Sequence, residues 1–503
     1  MAYKNPVIPG FHPDPSVCRV GEDFYLVTSS FEFFPGVPIF HSRDLVNWKQ
    51  IGHCLTRKSQ LPLDMCEASK GIWAPTIRHH KGRFYMTTTN TCFWKNFVVY
   101  ADDPAGEWSE PVWNEQGGID PSILFDDDGK AYFTTGGNRQ SEMDPETCEL
   151  ITQPKKIWEG TGGGYLEAPH LYHIGEYYYL MAAEGGTSRG HMETIARSKD
   201  PWGPFEPCPH NPILSNRGNV TTPLQATGHG DLVQAEDGSW WMVFLAIRDV
   251  REAGGFPAVH LLGRETCLAP VEWTDDGWPV VNENGTVDID MNVTTLPEHP
   301  FDLDPVRDDF DQGKLRPCWN FLRNPADRNW SLSERGGWLC LKGGAIRLDD
   351  TDSPAWVGRR QQHHHFAART RMEFAPRDDG EEAGITIFMN EEHHYEIAVT
   401  RWEGERRLFV RRRVGDIQLI VFNKPLYDDF VELQIEGTPT HYIFSWKEDG
   451  QGWTEAARGM SRYISTEVAG GFTGPYIAMY ASGNGKESFA PAWFDWFDYE
   501  ARL

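Results

Sequence analysis

The chain has 503 residues, enough for two or more domains that each bury a hydrophobic core. Its 49 glycines, 34 prolines and many aromatic residues favour a protein of short strands and argue against helical bundles and coiled coils. A formal net charge of −26 argues against nucleic acid and anionic membranes as partners.

The N-terminal segment MAYKNPVIPGFHPDPS lacks the apolar stretch and cleavage site of a signal peptide. The nine cysteines are scattered, odd in number and without a CxxC pair, which favours free thiols over a disulfide framework. Both patterns predict a cytoplasmic protein. The sequence also lacks an apolar run of about 18 residues, so no membrane-spanning helix is expected.

A repeat organises the first 290 residues, at intervals of roughly 50 residues. In each unit a polar segment turns apolar and is followed, after a Gly- or Asp-rich turn, by an aromatic strand. The upstream segments are 14–20, 74–80, 120–126, 167–173 and 228–234, and the aromatic strands are 24–29, 84–89, 131–136, 177–183 and 239–246. Five such hairpin units predict a five-bladed β-propeller over residues 1–295.

The first strand of each propeller blade lines the central channel, so the starts of the five units should meet around one axis. The residues at these starts are Asp14, Trp73, Asp120, Glu167 and His229 with Asp231. One Asp-Pro at a strand start is usually only a turn former. Three carboxylates and a histidine at the same phase of a repeat instead favour one shared pocket.

The pattern changes after residue 295. Residues 296–306 are proline-rich and acidic, which is typical of a linker. From residue 307 to 503 the alternation of apolar and polar residues resumes without the repeat, which predicts a β-sandwich. The strand-like segments are 338–344, 366–374, 395–402, 408–414, 442–447, 475–482 and 492–503.

Three carboxylates on one channel suit the hydrolysis of glycosidic bonds. That reaction needs one protonated carboxyl group to donate to the leaving oxygen and one ionised group to activate water or attack the sugar. A third carboxylate nearby raises the pKa of the acid by like-charge repulsion. Aromatic residues in the same channel would stack on the C–H faces of a sugar.

An ordered set of motifs resembles glycoside hydrolase family 43, in its β-xylosidase and α-L-arabinofuranosidase branch. The motifs run along nearly the whole chain and are NPVIPGFHPDPS, GIWAPTIRHH, GGIDPSILFDDDGKAYF, YLEAPHLYH, AEGGTSRGH, TGHGDLV and LGRETCLAPVEW. The region after the linker resembles the concanavalin-like sandwich (jelly-roll) fused to these enzymes. The resemblance therefore implies an all-β fold, a five-bladed propeller followed by a sandwich.

The resemblance also implies roles for individual residues in an inverting mechanism. Asp14 would be the general base, Glu167 the general acid, and Asp120 the modulator of the pKa of Glu167. The expected substrate-binding residues are Phe31, Trp73, Arg264, His229 and, from a glycine-flanked loop of the second domain, Phe472. No cofactor is required for the chemistry, although some relatives hold a calcium ion near the residue equivalent to His229.

The leading hypothesis is an exo-acting hydrolase that releases xylose from the non-reducing ends of β-1,4-xylooligosaccharides and also accepts α-L-arabinofuranosyl groups. A dedicated α-L-arabinofuranosidase is the first alternative, and a non-catalytic sugar-binding propeller is the second. The second domain either binds sugar or closes the pocket. A homo-oligomer is compatible with the sequence.

Overall fold

A computed structural model describes residues 2–251, 258–302, 304–488 and 490–502. Strands make up nearly all of its regular structure, which confirms the predicted all-β class. The short helices are Asn282–Gly285, Asp327–Asn329, Ser461–Ile464 and Thr466–Ala469. Within the described residues, no helix has the length and apolarity needed to cross a membrane.

Strands of the described part of residues 2–302 form five consecutive antiparallel sheets, the blades of a propeller. Blade 1 contains Ser16–Val20, Asp23–Val27, Gly36–Ser42 and Lys49–Leu55; blade 2 contains Ile72–His80, Arg83–Asn90, Lys95–Ala101 and Val112–Asn114. Blade 3 contains Ser122–Phe125, Ala131–Thr135, Arg139–Met143 and Lys155–Lys156; blade 4 contains Glu167–Ile174, Tyr177–Glu184, Met192–Ser198 and Glu206–Pro207. Blade 5 contains Leu224–Gln234, Trp240–Val250, Val259–His260, Glu265–Trp273 and Pro279–Val281.

The repeat in the sequence corresponds to the first two strands of every blade. The upstream segments are the first strands, the aromatic segments are the second strands, and a tight hairpin joins each pair. The hairpins turn at glycines with positive φ, which are Gly21, Gly82, Gly129, Gly175 and Gly238. The aromatic strands are buried because they lie between the first and third strands of a blade and between neighbouring blades.

The ring of blades is closed by the N-terminal segment. Tyr3–Lys4 pairs with Asp290–Met291, beyond the last strand of blade 5. The backbone of Ile8 then pairs with Thr266 in blade 5 before the chain enters blade 1. The first blade is thus attached to the last by backbone hydrogen bonds, which holds the channel at a fixed diameter.

Asp231 lies at the centre of a buried network between blades. Its carboxylate accepts hydrogen bonds from the Ser16 hydroxyl (2.6 Å) in blade 1 and the Tyr172 hydroxyl (2.6 Å) in blade 4. The Arg78 guanidinium of blade 2 donates to both of its oxygens, at 2.8 and 3.1 Å. Burial opposes ionisation, but Arg78 and His170 keep the pKa of Asp231 below its ordinary value. Asp231 therefore joins four blades, and its carboxylate is occupied by this structural network.

The second half of the chain forms a sandwich of two antiparallel sheets, as predicted. One sheet contains Arg307–Asp308, Trp330–Ser331, Leu339–Lys342, Phe366–Phe374, Phe430–Gly437, His441–Lys447, Thr454–Met460 and Pro491–Ala501. The other contains Ala355–Arg360, Glu382–Asn390, His393–Trp402, Glu405–Val414, Ile417–Pro425 and Tyr476–Ser482. Their inner faces share one large apolar core.

The two domains share an interface with its own apolar cluster. The two-residue strand Phe33–Phe34 of the propeller pairs with Phe321–Leu322 of the sandwich region. Phe33 is fully buried and stacks on Tyr476, with ring centroids 4.0 Å apart. Arg323 is fully buried and donates to the backbone oxygen of Cys66 while pairing with Glu391. The sandwich is thus packed against the propeller through side chains that exclude water.

One prediction from composition is wrong. Cys66 and Cys92 form a disulfide, with Cα atoms 6.0 Å apart, whereas the other seven cysteines are free. The two residues meet because the backbone N–H of Thr91 donates to Gly71 O at 2.7 Å, which joins the loop before blade 2 to the end of that blade's second strand. A separation of 26 residues gives no sign of this contact in the sequence.

Candidate active site

One cavity of about 480 Å³ opens at the end of the propeller channel where the first strands begin. The eight residues expected at the site all line it, and they are Asp14, Phe31, Trp73, Asp120, Glu167, His229, Arg264 and Phe472. Seven of them come from the propeller and the eighth from the sandwich. A cavity of this size falls within the range of small-ligand sites.

An unusual backbone conformation brings the acidic residues to the cavity. Asp14, Asp120, Ala168 and His229 all have φ between +49° and +56°. Asp14 and Asp120 lie two residues before the first strands of their blades, whereas Ala168 and His229 lie within the first strands of theirs. Left-handed backbone is uncommon for residues other than glycine and redirects the side chain at the strand end. Asp14 and Asp120 are themselves the left-handed residues of their blades, whereas Glu167 directly precedes the left-handed residue Ala168. Glu167 is therefore displaced by one position relative to the two aspartates, a shift that the sequence repeat does not reveal.

Asp14 is almost fully buried and held by hydrogen bonds on both oxygens. Arg264 Nη1 donates to Oδ1 at 2.6 Å, and Ser29 Oγ donates to Oδ2 at 2.5 Å. His229 Nδ1 lies 3.6 Å from Oδ1. Burial alone would raise the pKa of Asp14, but Arg264, His229 and Ser29 together lower it. Asp14 is therefore ionised at neutral pH.

Asp120 and Glu167 form a coupled acidic pair. Burial, Glu167 and Asp14 raise the pKa of Asp120 well above its ordinary value, and burial and Asp14 raise the pKa of Glu167. Asp120 Oδ2 accepts the backbone N–H of Ala168 at 3.1 Å, which fixes the carboxyl group beside Glu167. Ionisation of one of two neighbouring carboxyl groups disfavours ionisation of the other, so the pair retains one proton. Glu167 is the more exposed member, because its side chain is half-buried at the cavity.

Aromatic rings and one guanidinium form a wall of the cavity. The ring centroids of Phe31 and Trp73 are 6.2 Å apart, and those of Trp73 and Phe472 are 5.5 Å apart. Arg264 lies over both phenylalanines, with its Cζ 5.7 Å from the centroid of Phe31 and 5.9 Å from that of Phe472. Arg264 Nε is buried without a hydrogen-bond partner among the described residues. The wall thus combines aromatic stacking surfaces with a guanidinium group, which suits a polyhydroxylated ligand.

His229 is buried at the same cavity, and burial and Arg264 lower its pKa. Its ring is therefore neutral and able to act as a metal ligand. Calcium prefers six to eight oxygen ligands, however, and the described residues contain no group of three or more His, Cys, Asp or Glu side chains that could hold a metal ion. The Arg264 guanidinium beside Asp14 also disfavours a cation. The site does not fit calcium held by protein ligands, and no step of the chemistry is assigned to one.

The cavity also contains residues that were not singled out from the sequence. These are Ala74, Ile119, Tyr165, Gly185, Gly186, Thr187 and Ser188. Tyr165 is 74% exposed, which suggests that it stands at the mouth. The segment 185–188 belongs to the motif AEGGTSRGH, so its motif was a usable signal. Tyr165 opens the motif YLEAPHLYH and therefore has the same kind of signal, whereas Ser29, which follows the strand Asp23–Val27, has none that points to a site.

Comparisons with known proteins agree with this arrangement. Residues 3–279 match the model of glycosyl hydrolases family 43, and residues 307–500 match the β-xylosidase C-terminal concanavalin A-like domain. A non-reducing end α-L-arabinofuranosidase, BoGH43B of Bacteroides ovatus, is 47% identical over 99% of this chain and 94% of the relative. A xylosidase/arabinosidase of Butyrivibrio fibrisolvens is 39% identical over 96% of each chain.

Solved structures show the same architecture. The Bacteroides ovatus xyloglucan PUL GH43B structure superposes with a TM-score of 0.96 at 46% identity, covering 100% of both chains. The xylan β-1,4-xylosidase of Bacillus halodurans superposes with a TM-score of 0.93 at 36% identity, covering 99% of this chain and 100% of the other. The predicted propeller-plus-sandwich fold is thereby confirmed.

Proposed function

Because the chain belongs to the glycosyl hydrolases of family 43, we propose that it is an exo-acting, inverting enzyme that removes terminal xylose from β-1,4-xylooligosaccharides and also accepts α-L-arabinofuranosyl groups. The chain is a glycoside hydrolase, and we propose its substrate and the stereochemical course of its reaction. One observation carries it: an ionised Asp14 and a proton-retaining Asp120–Glu167 pair line the same cavity. Opposed protonation states at one site are what acid–base hydrolysis of a glycoside needs.

In this mechanism Asp14 accepts a proton from the water that attacks the anomeric carbon. Its hydrogen bonds to Arg264 and Ser29 hold the carboxylate in one orientation and keep it ionised. Glu167 donates its proton to the departing glycosidic oxygen. Asp120, held by the N–H of Ala168, disfavours ionisation of the pair, so that Glu167 is still protonated when the glycosidic oxygen departs.

Exo action is supported by the contribution of the second domain. Phe472 reaches the propeller's cavity and stands beside Trp73 and Arg264. A ring from another domain turns an open channel end into a pocket with a wall, which suits a chain end better than the middle of a polymer. Neither a lectin nor a structural propeller requires three carboxyl groups, two of them buried, in such a pocket, because buried acids cost stability.

A dedicated α-L-arabinofuranosidase is the second candidate. It is favoured by the relative of that activity from Bacteroides ovatus, while other relatives carry xylosidase names. The two sugars can present similar hydroxyl positions to one pocket. The test is hydrolysis of 4-nitrophenyl β-D-xylopyranoside and 4-nitrophenyl α-L-arabinofuranoside, with kcat/KM compared. A much larger value for the arabinoside would reverse our order of the two candidates, and no hydrolysis of either would reject both.

The mechanism is tested on xylobiose. NMR should detect α-xylose as the first product from the non-reducing end, and initial β-xylose would contradict inversion.

Glu167→Gln should reduce kcat on xylobiose by about 10²- to 10⁴-fold, because the leaving group of this substrate needs a proton. The loss should be smaller with 4-nitrophenyl xyloside, whose phenolate leaves unaided. Glu159→Gln, a change at an exposed carboxylate in the connection before blade 4, is the matched control and should leave both activities intact.

A further inference from the structure

The aromatic wall of the pocket is built from two domains, and both of its parts meet at one side chain. Ser69 lies in the connection between blades 1 and 2 and is only 7% exposed. Its hydroxyl oxygen accepts the backbone N–H of Phe472 at 2.8 Å. Its carbonyl oxygen accepts the indole N–H of Trp73 at 3.0 Å. Ser69 thus contacts the backbone of Phe472, in the sandwich, and the indole of Trp73, in the propeller.

The position of Ser69 is itself fixed from the propeller side. Its backbone N–H donates to Glu32 Oε2 at 3.0 Å, and Glu32 follows Phe31, the third ring of the wall. The backbone at Ser69 has a φ of +63°, which an ordinary residue adopts only when its surroundings impose it. The backbone of Ser69 is therefore held by a contact within the propeller.

The loop that carries Phe472 fits closely against this serine. Gly471 has a φ of +79°, and a Cβ added there would overlap Ser69 Oγ while lying 3.4 Å from Ser69 Cβ. A second attachment holds the same loop on the blade 5 side. There Glu467 accepts hydrogen bonds from the ring (2.7 Å) and the backbone N–H (3.1 Å) of His260. The loop is thus fastened to the propeller at two positions, Glu467 and Phe472, and the Phe472 carbonyl oxygen also accepts a hydrogen bond from Arg264 Nη2 at 3.3 Å.

We propose that Ser69 is a positioning residue of the sugar pocket, which sets Phe472 against Trp73 through its single hydroxyl group. This inference rests on the proposed function, because it assigns Phe472 to sugar binding. Without the hydroxyl, the Phe472 N–H loses its acceptor, and the ring is held near Trp73 only by the remaining contacts of its loop, which include the bond from Arg264 to the Phe472 carbonyl oxygen. The catalytic carboxyl groups have no contact with Ser69, so the effect falls on binding rather than on bond cleavage.

Ser69→Ala removes one oxygen and leaves both backbone hydrogen bonds of residue 69 in place. With whichever aryl glycoside the wild type hydrolyses, we expect KM to rise about 3- to 10-fold and kcat to change less than about twofold, as for a lost ground-state contact. Ser59→Ala, an exposed serine in the same connection, is the matched control and should match the wild type. An unchanged KM in Ser69→Ala would overturn the proposal.

A double variant separates positioning from a general structural role. Phe472→Ala should raise KM at least as much as Ser69→Ala, and Ser69→Ala should add nothing in the Phe472→Ala background, because the serine acts through that ring. Equal effects of Ser69→Ala in both backgrounds would refute action through Phe472. If the wild type hydrolyses neither glycoside, the proposed function fails, and the assignment of Ser69 to a sugar pocket fails with it.

The contact itself is tested without substrate. Gly471→Ala should lower the melting temperature more in the wild type than in the Ser69→Ala background, because the overlapping atom is then missing. The backbone strain at residue 471 is the same in both backgrounds and cancels in the comparison. Equal losses would show that the loop does not rest on Ser69.

The second attachment is tested with substrate. Glu467→Gln should weaken it and raise KM more in the Ser69→Ala background than in the wild type, because both attachments hold the same loop. Equal increases in KM in the two backgrounds would contradict two attachments that act together on Phe472.

Discussion

At the scale of single residues, the site separates three chemically similar carboxyl groups by their neighbours. Asp14 faces a guanidinium, a hydroxyl and an imidazole, whereas Asp120 and Glu167 face each other. The first environment stabilises the anion and the second stabilises a proton. The proposed assignment of base and acid therefore follows from which groups lie within a few ångströms of each carboxyl group, and not from the residue types.

The pH dependence of kcat/KM follows from the same contacts. The proposed mechanism requires ionised Asp14, so activity should fall as the pH drops through a pKa below the ordinary aspartate value of about 3.9. The same mechanism requires the proton on the Asp120–Glu167 pair, so activity should also fall as the pH rises through a pKa above the ordinary range. Asp120→Asn removes the charge that helps to hold this proton. Its alkaline limb should move to lower pH by about one unit or more.

This shift is measured as kcat/KM against pH with an aryl glycoside, in the wild type and in Asp120→Asn. Asp128→Asn serves as the control, since Asp128 is an exposed carboxylate of the same blade that lies in the hairpin turn. It should leave both limbs where they are. An alkaline limb that stays in place in Asp120→Asn would contradict the modulator role.

At the scale of elements, the start of each blade decides what reaches the cavity. The first strands of blades 2, 4 and 5 have register shifts at their inner ends, at Trp73–Thr76, Glu167–His170 and Gly228–Asp231. Such bulges are places where a sheet redirects a side chain. Trp73 and Glu167 occupy the same position relative to the bulge, so one blade offers an aromatic wall where another offers the acid.

The loop before blade 2 is a further structural element that supports the wall, and it depends on Gly71. This glycine has a φ of +92°, and an added Cβ would overlap the backbone carbonyl of Phe31. Gly82, in the hairpin of the same blade, has a φ of +84° with open space around it. Gly82→Ala should cost about 1–2 kcal/mol from backbone strain alone. Gly71→Ala should cost at least about 2 kcal/mol more, because a backbone atom has to move.

Thermal or urea unfolding of the two alanine variants measures this difference. The pair has the same chemical change and nearly the same φ, so only the contact with Phe31 distinguishes them. Similar losses in stability would show that the close approach of Gly71 to Phe31 is not a constraint on the fold.

At the scale of the whole molecule, stability and function depend on contacts between units that are remote in sequence. Asp231 joins four blades through Ser16, Arg78 and Tyr172. Asp231→Ala leaves the buried Arg78 without its partner, so we expect a loss of about 3–5 kcal/mol. Asp102→Ala breaks the exposed pair with Arg83 and should change stability by less than about 1 kcal/mol. Unfolding curves of both variants test this, and comparable losses would argue against a central role for Asp231.

The domain interface is the other feature of this scale. Phe33 and Arg323 are fully buried there, and the sandwich contributes Phe472 to the cavity. The second domain therefore acts as part of the pocket as well as a neighbour of the propeller. Between the two roles left open by the sequence, sugar binding and pocket closure, the position of Phe472 supports closure.

The sequence by itself determined the blade repeat and the β-sandwich, because hydrophobic periodicity and hairpin turns are local properties, and the family resemblance added Phe31, Arg264 and Phe472 to the side chains expected at the cavity. The repeat also placed Asp14, Asp120 and Glu167 at one end of the channel, since blades of one fold are related by rotation. Only the tertiary structure decided the rest. The left-handed residues, the Cys66–Cys92 disulfide, the use of Asp231 as a buried support and the contact of Ser69 with Phe472 all depend on packing between distant segments. No local pattern encodes such contacts, because each one is fixed by the shape of the partner that it meets.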